Sequence, residues 1–274
     1  MVANLINTSN ERQQTIRERS VIIPEESVGT IDPDKLLSTG GPGYKRVFAD
    51  SFGPFNPHKY FSSPYKILFL LKESYIGTLE EEKDYKFGHN KAAEYRCVEY
   101  GDLPPTYQGV AQTCYALLNN NRQFDGSASS IITAMECMHD NSCIINANKF
   151  PCIGGTESND NCVYKWARKN LALISNEIKL YDPSIIIGGH TLAHFLEYNP
   201  ARSKWNLFGE EVDILYPDDI LRNFHKQMGD NHTYYNSKHL YINAYHPSMP
   251  GYDNYIDLIC HIRDWWESEI YKHV

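Results

Sequence analysis

Glu73, Asn146, His190 and His246 each stand one or two residues beyond the end of a short apolar run. They supply a carboxylate, a primary amide and two imidazoles from four separate parts of the chain. A carboxylate can orient water, accept a proton or steady a developing cation. An amide offers a donor face and an acceptor, so it can read the edge of a planar heterocycle. An imidazole can donate to an oxygen that is gathering negative charge. Taken singly, each residue has a plainer explanation. Glu73 can be a charge at a helix N-terminus. Asn146 can satisfy loop backbone. His190 can pack or cap, and His246, followed by Pro247 and Ser248, can be structural. The set is informative only if the fold brings it together.

The elements that would do so can be read from the same runs. Residues 66–71, 142–148, 184–189 and 239–244 read as strands buried on both faces. Helical spacing appears over 107–119, 127–138, 162–180 and 253–272, with a shorter helix expected over 191–197. Strands alternating with helices predict an α/β fold, a three-layer α/β/α sandwich around a central four-stranded parallel sheet. Ligands of such sheets bind outside the carboxyl ends of the strands. The loops after residues 71, 145, 189 and 244 should therefore surround one site.

The 274 residues divide into an N-terminal extension, 1–45, and a single domain, 46–274, with insertions near 78–106 and 199–237. A hydrophobic content of 42% is enough for a full core. There is no run of 18 apolar residues, so no membrane span is expected. The polar N-terminus lacks a signal core, and a cytoplasmic location is expected. The net charge of −8 argues against indiscriminate coating of nucleic acid, though not against a local basic groove. The seven cysteines include no CxxC pair and read as reduced thiols, some of them buried. Cys137, Cys143, Cys152 and Cys162 match no compact ligand spacing, so neither a metal nor another cofactor is expected. Walker, dinucleotide and metalloprotease motifs are absent.

Four stretches together resemble the uracil-DNA glycosylase superfamily, over roughly residues 60–265. Leu71-Lys72-Glu73-Ser74-Tyr75 is similar to its first motif, a strand end followed by a turn that holds an acidic or amide residue. Ile144-Ile145-Asn146-Ala147-Asn148-Lys149 resembles the strand whose Asn reads the base. The run from Asp182 to Ala193, with Gly188-Gly189-His190 inside it, resembles the third strand and its turn. Tyr245-His246-Pro247-Ser248-Met249-Pro250-Gly251 resembles the second catalytic motif, which begins His-Pro-Ser.

The resemblance implies a monofunctional DNA glycosylase that flips a base out of the stack and hydrolyses its N-glycosidic bond. It implies catalytic roles for Glu73, beside the sugar cation, and His246, beside the departing base. Asn146 would read the base edge, Tyr75 would wall the pocket, and Phe87 would stack on the base, with Tyr85 equally available for that stacking. Ser248, His190 and Lys149 would approach the DNA backbone, and Met249, Pro250 or Tyr252 would fill the emptied stack. DNA is the implied partner. The chain departs from the family pattern at Leu71, Lys72 and Ser74, against the base pocket. The implied substrate is therefore uracil or a modified pyrimidine, and a hypermodified base of foreign DNA, such as that of a bacteriophage, is one setting.

Two other readings remain. An inactive DNA- or protein-binding member of the same fold would share every feature above. A serine hydrolase using Ser74 or Ser248 would want a Gly-x-Ser-x-Gly elbow, which the chain lacks.

Overall fold

Every residue of Ile67–Leu71, Ser142–Asn146, Ile185–Gly189 and Leu240–Ala244 is buried, as expected for strands covered on both faces. The structure is a computed structural model, and it describes residues 53–72, 75–76, 97–120, 123–147, 152–153, 160–169, 171–215 and 232–271. In chain order these form β1 (Gly53–Pro54), α1 (Pro57–Ser62), β2 (Ile67–Leu71), β3 (Tyr75–Ile76), α2 (Pro105–Leu118), α3 (Ala128–Asn141) and β4 (Ser142–Asn146). There follow β5 (Cys152–Ile153), α4 (Asp160–Lys169), α5 (Leu171–Tyr181), β6 (Ile185–Gly189), β7 (Leu196–Asn199), β8 (Lys204–Leu207) and β9 (Glu210–Leu215). The last elements are β10 (Thr233–Tyr235), β11 (Leu240–Ala244) and α6 (Asp253–Glu269). Residues 1–45 lie outside the described set.

The sheet is wider than the sequence suggests. It has nine strands in the order β1-β4-β2-β6-β11-β10-β9-β8-β7. The expected strands β4, β2, β6 and β11 are adjacent and mutually parallel. They are a block within a mixed sheet, however, not a four-stranded parallel sheet. β1 adds antiparallel at one edge, and β10, β9, β8 and β7 continue antiparallel at the other. Most of these extra strands come from 199–237, read from sequence as a polar insertion. An antiparallel strand needs only one dry face. In β9, Val212 is buried with Ile214 packed on the same face, while Glu211 on the other face is exposed, so the average over the segment looks polar. The helix expected over 191–197 is a single 3-10 turn, Leu192–Phe195, that runs into β7. Over the span 162–180, where a helix is expected, the described residues are helical as α4 up to Lys169 and as α5 from Leu171.

Side-chain alternation along the strands sorts the core into two layers. Ile67, Phe69, Ile144, Ile185, Ile187 and Ile242 pack with α2, α3 and α6. Leu68, Leu70, Ile145, Ile186 and Tyr241 pack with α4 and α5 on the opposite face. Each fully buried Leu, Ile or Phe contributes about 1.5–3 kcal/mol relative to an exposed one. Local signals set the helix starts. Pro105 opens α2, and Ser127 caps α3 by accepting from the Ser130 amide at 3.3 Å.

The connections decide where a ligand can enter. From β2 the chain crosses to β4 on one side. From β4 it returns to β6 on the other side of β2. Loops therefore diverge between β2 and β6 and leave a crevice at their carboxyl ends. Beyond those ends, the segments leaving β2 and β4 pair again as a two-stranded parallel ladder, with Tyr75 opposite Cys152 and Ile76 opposite Ile153. No described helix is long and apolar enough to cross a membrane.

Candidate functional site

The crevice is built on the turn that follows β6. His190 there has a left-handed φ of 61°, uncommon for a residue with a Cβ. Its amide donates to the Gly188 carbonyl at 2.9 Å and to the Ala244 carbonyl at 2.7 Å. Thr191 Oγ1 donates to the Leu70 carbonyl at 2.7 Å, and the Leu192 amide donates to Asn243 Oδ1 at 3.1 Å. The turn is thus tied to both β2 and β11. These bonds fix a rigid floor at the sheet's carboxyl edge.

His246 lies on that floor. A Cβ at Gly189 would stand 3.2 Å from His246 Cδ2 and 3.3 Å from Leu71 Cδ2. The imidazole therefore crosses the end of β6 beside the last residue of β2, at the point where the loops diverge. Its loop is braced from the far side by α2. A Cβ at Gly109 would overlap the Pro247 carbonyl and would come within 2.9 Å of Pro247 Cβ. Only glycine fits at 109 with the loop in this position.

The protonation of His246 follows from its neighbours. Nδ1 accepts the Ser248 amide at 3.3 Å and sits 2.8 Å from Ser248 Oγ. An accepting Nδ1 puts the hydrogen of the neutral ring on Nε2. Burial, then the charge of Lys72, pushes the imidazole pKa down to about 4. At neutral pH the ring is a neutral Nε2–H donor. Nε2 has no partner among the described residues.

Lys72 completes the mouth. Its Nζ donates to Asp160 Oδ1 at 2.6 Å, and only 20% of the lysine side chain is exposed. Asp160 is the first residue of α4. Burial opposes its ionisation, but Lys72 outweighs that, helped by His190 and His194, and the carboxyl stays below its usual range. His194 is itself held neutral, chiefly by burial, against the pull of Asp160.

The residues singled out from sequence divide as follows. Asn146 ends β4 opposite Leu71, 2% exposed, with the Ala147 amide donating to the Leu71 carbonyl at 2.8 Å. His190 is exposed and lies nearly parallel to the Tyr245 ring, 6.4 Å away at 14°. Ser248 and Met249 are exposed beside His246, Met249 at 41%. Tyr75 contributes backbone to β3. Glu73, Phe87, Tyr85 and Lys149 lie outside the described residues.

Tyr252 requires correction as a candidate for the emptied stack. It is 3% exposed, belongs to the core packed by α2 and α6, and its hydroxyl accepts from Thr113 Oγ1 at 3.4 Å. Its ring is committed to the interior at the start of α6. Three contributors escaped the sequence reading: Asp160, Gly109 and Asn243. Asn243 left a faint signal, a polar residue inside an otherwise apolar strand. Asp160 and Gly109 act through contacts with residues far away in sequence and left none.

Comparison of the chain with protein-family models, with curated proteins and with solved structures finds no match.

Proposed function

We propose that this protein is a DNA glycosylase that removes uracil or a modified pyrimidine and leaves an abasic site. The observation that carries the reading is the position and state of His246. It is a neutral Nε2–H donor, lying across the carboxyl ends of β2 and β6 at the topological switch point. The His-Pro-Ser motif that supplies it, and the family resemblance of the motif after β2, bring in the rest.

In this mechanism a flipped base enters the crevice with an oxygen toward His246 Nε2. The C1′–N bond breaks and its electron pair stays on the base. Positive charge develops on the sugar, where the Glu73 carboxylate stabilises it and orients a water. The water oxygen bonds to C1′, one of its protons passes to Glu73, and the departing base is protonated by solvent. His246 stabilises the negative charge by donating a hydrogen bond, and its neutral state matters because it spares the site a buried cation. Asn146 reads the base edge at the end of β4. Ser248 holds the His246 ring through Nδ1, and its exposed position places it toward the DNA backbone. Met249 and Pro250, exposed beside the crevice, are the side chains available to fill the stack. The acidic body makes binding dependent on this local surface rather than on overall charge.

The test is base release. Oligonucleotides and genomic DNAs that differ in modification are incubated with the protein. Free bases are then detected by mass spectrometry, and abasic sites by alkali cleavage. A released pyrimidine supports the reading. DNA binding without release from any substrate would instead favour an inactive binder of the same fold.

A further inference from the structure

Lys72 has no counterpart in the resembling family motif, and the crevice chemistry described above does not use it. It directly follows Leu71, whose side chain shares the Gly189 contact with His246. Its side chain is 20% exposed, and its ammonium is tethered at the surface to Asp160 at 2.6 Å. Charge at this end of the sheet is arranged around it, with Asp160 on one side and the imidazoles of His190, His194 and His246 nearby.

We propose that Lys72, held in place by Asp160, is the fixed positive charge that stabilises the base as it leaves as an anion, so that His246 can remain a neutral donor beside it. The two residues divide the work. The imidazole supplies a directed hydrogen bond, and the ammonium supplies charge without giving up a proton. The carboxylate of Asp160 holds the lysine aimed, which makes it a positioning residue. The same tether argues against Lys72 as an amine nucleophile, because attack on C1′ needs a free lone pair. This inference rests on the glycosylase reading.

A consequence follows for leaving groups. With a fixed charge in place, the rate should depend only weakly on how readily the base bears negative charge. Without it, poorer leaving groups should suffer more. The experiment uses the full chain and the variants Lys72→Gln, Lys72→Arg and Asp160→Asn. Release of uracil is compared with release of 5-fluorouracil, which departs more readily as an anion. Separately, the His246 ring is titrated by NMR without DNA.

Lys72→Gln should slow uracil release by roughly 10- to 100-fold and 5-fluorouracil release distinctly less. It should also raise the His246 midpoint from about 4 by roughly half a unit or more. Lys72→Arg should restore most of the rate. Asp160→Asn should lose less than Lys72→Gln and become more sensitive to salt, because an untethered charge is better screened. Equal losses for the two bases, or an unmoved His246 midpoint, would overturn the role of Lys72 even if the wild-type protein is an active glycosylase. Failure of the wild-type protein to release either base would remove the catalytic role of Lys72 proposed here, whereas the glycosylase reading itself falls only if no pyrimidine is released in the wider screen of modified DNAs. The titration would then still report whether the lysine charge reaches the imidazole.

Discussion

β11 carries an imidazole near each end, and the two are put to different use. His239 precedes the strand at the amino edge of the parallel block. Its Nδ1 lies 2.7 Å from Glu210 Oε2, which also accepts from Tyr241 at 2.9 Å and Asn236 at 3.1 Å. The His239 side chain is 4% exposed, and the knot joins β9 to β11 across β10. His246 follows the strand at the carboxyl edge. It is half-buried, with one nitrogen engaged and the other directed to no described partner. The carboxylate, tyrosine and histidine in contact at the His239 end look like catalytic machinery. The difference lies in access. His239 Nε2 also lacks a partner among the described residues, but it is sealed inside the protein. An unpaired nitrogen becomes chemistry only where a substrate can reach it, and the strand direction decides which end that is.

The sharpest way to break the comparison is to remove one group from each end. His246→Ala, or Glu73→Gln at the neighbouring turn, should lower base release by about 100-fold or more with an unchanged fold. Circular dichroism alongside the kinetics would check both halves of that expectation. Glu210→Ala should do the reverse. It should cost about 1–3 kcal/mol of stability by stranding buried donors, read from denaturant midpoints, while the folded fraction keeps its activity. A Glu210 variant with normal stability and lost activity would erase the distinction between the two ends.

Acid should then separate the ends by pH. The neutral His246 ring lies at about 4 in the fold against an ordinary 6.5. Its contribution to stability is whole above about 6.5 and is lost as pH falls from there to about 4. Glu210 lies at about 2 against an ordinary 4.5, despite burial that opposes its ionisation, because His239, Tyr241 and Asn236 all donate to it. Its contribution is whole above about 4.5 and drains as pH falls toward 2. Stability measured in wild type and in each variant should show two separate acid windows, the higher belonging to His246. The smallest effect belongs to the rim. Met249→Ala should weaken binding to DNA that carries a flipped base by a few-fold at most, with stability unchanged, since the side chain is largely exposed.

The four central strands were legible because each is apolar along its whole length, the signature of burial on both faces. The meander of β7, β8 and β9 was not. In β9 the acidic residues Glu211 and Asp213 alternate with Val212 and Ile214, which face the core. Sheet width is therefore hidden from a reading of apolar runs. In the site, His246 and Asn146 announced themselves by standing at strand ends. Asp160 could not, because its meaning comes from an ion pair with a residue on another element. Tyr252 misled in the opposite way. Its neighbours in sequence are exposed, but the first turn of α6 rotates the ring into the core.

The contact between Gly109 and Pro247 has a bearing on motion. The segment from Tyr245 to Gly251 lies at the surface, yet its proline rests directly on a buried helix, and the Met249 amide donates to the His246 carbonyl at 2.9 Å. Fluctuations of this loop are coupled to those of the interior, so the Met249 amide should exchange with deuterium nearly as slowly as amides of α2. Rigidity of this kind would let a protruding thioether act as a fixed peg, sparing the entropy that a floppy tip would lose on meeting a duplex.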